Sequence, residues 1–143
     1  MGLAFPEIEY KATHNVFGLT LNNPLTLIRK PNECIPSWIA FYPKPETFEY
    51  RLPKVIAWYE RFHSQLLDSN SKMFCFYQAT SDTTKFIKSL EIFMNQKSQP
   101  FDNNKIHTNK NHSEYQQLSE NDIRLKKCFN LYYELQNKLT KIG

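Results

Sequence analysis

Glycine is almost missing from this chain. Of 143 residues three are glycine, and Gly18 alone lies away from the ends. Loops that wrap phosphates depend on positive φ and close backbone approach, which glycine supplies. No Walker loop, dinucleotide fingerprint or nucleophile elbow can be traced, and no bound cofactor is expected. Cysteine is also sparse. Cys34, Cys75 and Cys128 are an odd set without the spacing of a disulfide framework or a zinc cluster. Cys75 inside the run MFCFY and Cys128 beside Phe129 read as small buried hydrophobes, and a reducing, cytoplasmic setting is expected. No apolar run approaches the roughly 18 residues of a membrane span, so no membrane partner is expected. The opening MGLAFPEIEY has neither the basic nor the apolar region of a secretory signal.

What is present is unevenly placed. Seven of the eight prolines fall in residues 1–53, which predicts a stiff, turn-rich front. Those 53 residues hold five basic and five acidic side chains, whereas residues 54–143 hold thirteen basic and nine acidic, the whole +4 excess. Such an excess is compatible with a nucleic-acid or acidic-protein partner, and equally with an ordinary solvated helical surface. Eleven phenylalanines, eight tyrosines and two tryptophans supply large burial per side chain and are also the residues that dominate interfaces. The length suits one domain, 1–143, divided into an extended front over 1–53 and a mostly helical remainder.

Periodicity predicts the elements. Ile8, Tyr10 and Ala12 alternate with polar neighbours, and Val16–Leu21 and Leu25–Arg29 flank Asn22-Asn23-Pro24 as the limbs of a hairpin. The apolar run Trp38–Tyr42, bounded by Pro36 and Pro43, reads as a buried strand, and Pro43-Lys44-Pro45 as an extended loop. A helix is expected from Pro53 to about Leu67, with Ile56, Tyr59, Phe62 or His63, and Leu66 on its apolar side. Met73–Ala79 reads as a strand, and Ser81 or Asp82 as the cap of a second helix whose inner face is Phe86, Ile87, Leu90, Phe93 and Met94. The asparagine-rich segment 98–113 reads as a polar loop. Ser119 and Asp122 resemble a capping pair for a long last helix with Leu125, Phe129, Tyr132, Leu135 or Gln136, Leu139 and Ile142 in one stripe. The expected fold is α+β: a small mixed sheet, made of the hairpin and a β-α-β unit over 38–79, packed by about three helices.

Candidate chemistry is thin. His107 and His112 are five apart and lack the helical spacing of a zinc pair, so no metal site is expected. His63 sits at the edge of an apolar stripe and reads as a packed histidine, with His14 unassigned. Cys34 stands next to Glu33, which disfavours a thiolate, and Glu7/Glu9 and Glu46/Glu49 read as solvated carboxylates. No catalytic residue is assigned. The turn Thr80–Lys85 joins a strand to a helix N-terminus, where free N–H groups attract anions; Ser81, Thr83, Thr84 and Lys85 are its candidate donors.

Lys72-Met73-Phe74-Cys75-Phe76-Tyr77 places a basic residue ahead of alternating aromatics. This resembles the strand signature of RNA-recognition-motif domains, in which such aromatics stack on bases. The resemblance covers under a tenth of the chain. Met73 stands where that family has glycine, and Leu67 to Lys72 is too short for the strand the family places there. It implies Phe74 and Phe76 as base-stacking rings; a single-stranded nucleic-acid binder would then place Lys72, Arg124, Lys126 and Lys127 near the backbone.

The expected class is a non-catalytic interaction protein, a small subunit or adaptor of a protein or nucleoprotein assembly. A single-stranded RNA-binding module and a small enzyme with an anion site at 80–85 are the alternatives. Which of Trp38, Trp58, Phe74 and Phe76 reach solvent decides where a contact surface lies.

Overall fold

The computed structural model describes residues 25–41, 46–99 and 116–140. The expectations for 8–13, for the hairpin limb Val16–Leu21, for Pro43-Lys44-Pro45, for most of segment 98–113, and for His14, His107, His112 and Ile142 lie outside the described residues. The class is α+β, as expected. In chain order the elements are β1 (Leu25–Ile28), α1 (Pro31–Phe41), α2 (Phe48–Leu67), β2 (Lys72–Cys75), α3 (Phe76–Ser81), α4 (Thr83–Met94), a 3₁₀ turn (Ile123–Leu125) and α5 (Lys126–Gln136).

The two strands pair in parallel, Leu25 opposite Lys72 and Ile28 opposite Cys75. A parallel pair needs a long crossover and cover on both faces. Helices α1 and α2 provide the crossover. Side-chain alternation then divides the interior. Ile28 and Met73 point into a large cluster with Ile35 and Ile39 of α1, Val55, Tyr59 and Leu66 of α2, and Leu125, Cys128, Tyr132 and Leu135 from the C-terminal region. Leu25 and Phe74 face the other way, toward Ala79 of α3 and Phe86, Ile87 and Leu90 of α4. On the far edge of β2, Leu139 bridges Met73 in parallel, and the Thr140 N–H donates to the Met73 carbonyl at 2.6 Å.

Local chemistry sets the helix ends. The Thr47 hydroxyl accepts the Tyr50 N–H at 3.2 Å and starts α2. Asp82 accepts the Lys85 N–H at 3.3 Å and starts α4. Asn95 closes α4 at φ 52°, a conformation asparagine tolerates, while the Gln96 N–H returns to the Glu91 carbonyl at 3.2 Å. Asp122 accepts the Arg124 N–H at 3.0 Å ahead of α5.

Several expected elements are corrected. The run from Trp38 is the end of α1, not a strand. Pro31 occupies the first helical turn, where its missing N–H costs nothing, and Cys34, Ile35, Trp38 and Ile39 pack at helical spacing. A five-residue apolar run between prolines cannot by itself be told from a buried helix turn. The strand that pairs with β2 is therefore Leu25–Ile28, and the described sheet is parallel and not mixed. The expected strand Met73–Ala79 stops at Cys75, where the chain turns into α3. Helix α2 starts at Phe48, five residues before Pro53, because the Thr47 cap lies upstream of the proline. Helix α5 ends at Gln136, and Leu139 serves the sheet and not the helical stripe.

Two clusters that share no residue should respond independently to small cavities. Ile35→Val and Ile87→Val are each expected to cost roughly 0.5–1.5 kcal/mol in urea unfolding. In the double variant the costs should add to within about 0.5 kcal/mol. A strong coupling between them would contradict the two-sided core.

Candidate functional site

The structure separates the residues of the expected base-stacking set. Phe74 is 1% exposed and meets Phe86 edge-on at 5.4 Å, so its ring faces are enclosed by the second cluster. Phe76 is no longer on the strand; it opens α3, and the Arg29 guanidinium lies 4.7 Å over its ring. Lys72 is exposed at the start of β2. Arg124 is held by Asp122 at 2.7 Å and Glu49 at 3.3 Å, and Lys127 lies 3.6 Å from Glu60. These bonds from Arg124 hold the Asp122 carboxyl below the usual aspartate range. The stabilisation is present above that range and is lost as pH falls through the folded value. Lys126 is exposed on α5.

At the expected anion turn, Asp82 itself occupies the N-terminus of α4 and lies 3.8 Å from the Lys85 ammonium. The Thr83 hydroxyl donates to the Ala79 carbonyl at 3.1 Å, whereas Ser81 and Thr84 are exposed. The turn follows a helix, not a strand, since Thr80 and Ser81 belong to α3.

His63 is 3% exposed. Its Nδ1 meets the Tyr59 carbonyl at 2.8 Å, and its ring stacks on Tyr59 at 3.6 Å between centroids. A carbonyl can only accept, so Nδ1 carries the hydrogen. Burial pushes the Cys34 thiol up to about 12, against a smaller pull from Arg29, and pushes Cys128 to about 12 as well. Among the described residues no three His, Cys, Asp or Glu side chains converge as a metal site.

The carboxyl ends of the parallel strands, where open α/β sheets place ligands, carry a closed polar network. The Lys30 N–H donates to the Tyr77 hydroxyl at 3.1 Å, and that hydroxyl donates to Glu33. Burial and the Glu33 carboxylate raise the Tyr77 phenol. Arg29 reaches Glu33 at 3.8 Å, and the Lys30 ammonium reaches Glu120 at 3.0 Å, which raises it. Charges and hydroxyl are spent on one another, so this edge locks α1 to α3.

An exposed face of aromatic and cationic side chains lies on α2. Its inner side is anchored by Leu52, Val55, Tyr59, Phe62, His63 and Leu66. Its outer side carries Tyr50 (57% exposed), Lys54, Ala57, Trp58 (46% exposed) and Arg61. The Lys54 ammonium sits 4.4 Å over the Tyr50 ring and 3.4 Å from its hydroxyl. Tyr50, Lys54, Ala57 and Arg61 recur at four, three and four, the mirror of the buried stripe, with Trp58 alongside. That recurrence was present in the sequence. Starting the helix at Pro53 hid it by leaving Tyr50 in a loop.

No family model, curated protein or solved structure matches this chain.

Two outcomes are expected. In the folded protein at pH 8, Ellman's reagent should modify Cys75 first, because Cys34 and Cys128 are buried, protonated thiols; all three should react at once in guanidinium. Equal rates in the native state would contradict the thiol assignment. Tyr77→Phe leaves the Lys30 N–H without its acceptor and should cost about 1–3 kcal/mol in urea unfolding. An unchanged midpoint would mean the network is not formed.

Proposed function

We propose that this chain is a non-catalytic interaction protein, a small subunit or adaptor of a larger protein or nucleoprotein assembly, and that the outer face of α2 is its contact surface. The observation that carries the reading is the exposure of Trp58 and Tyr50 on one face of a helix whose opposite face is fully anchored. Large aromatic rings left in water are the side chains most often found at the centre of interfaces. A helix clamped from behind by six buried residues loses little freedom when it docks. Lys54 keeps Tyr50 covered on one side and gives the patch a positive rim.

Among the described residues no helix is long and apolar enough to cross a membrane. The helices instead divide between the two cores, and among the described residues α2 alone presents two exposed aromatics, eight residues apart.

The test is size-exclusion chromatography with light scattering, followed by pull-down from the host, for the natural chain and for Tyr50→Ala/Trp58→Ala. The natural chain should self-assemble or recover a partner reproducibly. The double variant should lose that recovery while keeping its far-ultraviolet circular dichroism and melting temperature, since neither ring is buried. A monomer that recovers nothing, or recovery that ignores both substitutions, would overturn the reading.

A further inference from the structure

The charges on the α2 face describe its occupant. Lys54 and Arg61 lie on the same stripe, seven residues apart, about 10 Å along the axis at 1.5 Å per residue. Among the described residues neither has a carboxylate partner; Lys54 contacts only Tyr50. The nearby carboxylates are already spent, Glu49 on Arg124 at 3.3 Å and Glu60 on Lys127 at 3.6 Å. Between these two cations stand Ala57 and Trp58, one small enough to admit a close neighbour and one large enough to be gripped.

A polynucleotide fits this arrangement poorly. One face of Tyr50 is already taken by an ammonium. Tyr50 and Trp58 are eight residues apart, about 12 Å, too far to stack successive bases. Two cations over that length neutralise few phosphates, and Glu49 and Glu60 belong to the same helix. A second helix fits well. An α-helix repeats a side-chain direction every seven residues at about the same 10 Å, so two carboxylates seven apart would meet Lys54 and Arg61 together. Its third and fourth positions between them would lie over Ala57 and Trp58, as ridge meets groove.

Resting on the reading of α2 as the contact surface, we infer that its occupant is an acidic amphipathic helix of a protein partner, with two carboxylates seven residues apart bracketing apolar side chains. The carboxylates pair with Lys54 and Arg61, the apolar side chains cover Ala57 and Trp58, and the aromatic–cation pair at Tyr50 closes one end. Affinity resides mainly in the Trp58 contact; the two ion pairs set register and orientation and are screened by salt.

The probe is a phage-displayed library of random 16-residue peptides selected on the folded chain, with a 20-nucleotide polyuridine as the competing ligand class. Selected peptides should share Asp or Glu at positions i and i+7 with apolar residues at i+3 or i+4. By fluorescence anisotropy of the free peptide, Trp58→Ala should weaken binding roughly thirtyfold. Lys54→Glu/Arg61→Glu should weaken it roughly tenfold or more, and a peptide with lysine at i and i+7 should restore affinity for that charge-reversed protein. Lys88→Glu, on the exposed side of α4, should change binding less than twofold and controls for net charge. Selected peptides that need Trp58 but carry no acidic pattern would overturn the partner chemistry and leave the contact surface standing. Polyuridine binding that Lys54→Glu/Arg61→Glu abolishes, with no peptide selected, would replace the helix by a nucleic acid. Peptides indifferent to Tyr50→Ala and Trp58→Ala would overturn both the partner and the surface.

Discussion

The parallel pairing of Leu25–Ile28 with Lys72–Cys75 is the constraint on which the remaining arrangement depends. Four residues of parallel ladder are worth little alone. They matter because adjacent residues of a strand face opposite ways. Met73 commits one side of the pair to α1, α2 and α5, and Phe74 commits the other to α3 and α4. A slip of one residue would exchange the two and empty both clusters, so the cores and the register fix each other. The C-terminal residues Leu139 and Thr140 then hold the second edge of β2, bringing the two ends of the described chain onto one strand.

From that pairing follows the division between spent and unspent side chains. The strand ends bring Arg29, Lys30, Glu33 and Tyr77 close enough to satisfy each other. Asp122, Arg124 and Glu49 close a similar set at the start of α5. Both fasten one helix to another. Helix α2 is fastened on its inner side by apolar burial, by the Tyr59 hydroxyl donating to the Arg29 carbonyl at 3.1 Å, and by the stacked Tyr59–His63 pair. Its outer side is thereby held rigid while remaining in water, and the proposed function lives on that face.

Much of this was legible in the chain. The stripe Leu125, Phe129, Tyr132, Leu135 is buried as its spacing demands, and so are Phe86, Ile87 and Leu90 of α4 and the core side of α2. These are amphipathic helices of three turns or more, for which periodicity is a strong signal. What failed was short. Trp38–Phe41 lacks the length to show a period, and Pro36 was read as a boundary although it is buried inside α1. The chain changes from strand to helix between Cys75 and Phe76, inside one aromatic run, which no alternation reveals. The resemblance built on Phe74 and Phe76 required both on one strand face, and the turn at Cys75 parts them. The α2 face was missed because helix starts are set by caps. Thr47 lies six residues before the proline that suggested the start.

The two cores and the outward face of α2 all follow from the parallel register of β1 on β2. Solution NMR on the isotopically labelled chain tests it directly, through amide exchange and cross-strand nuclear Overhauser contacts. Contacts linking Thr26 with Met73 and Leu27 with Phe74, a slowly exchanging Thr140 amide, and upfield-shifted resonances for Phe74 against Phe86 are expected. Antiparallel contacts between these segments, or a Thr140 amide that exchanges as fast as an exposed one, would contradict that register.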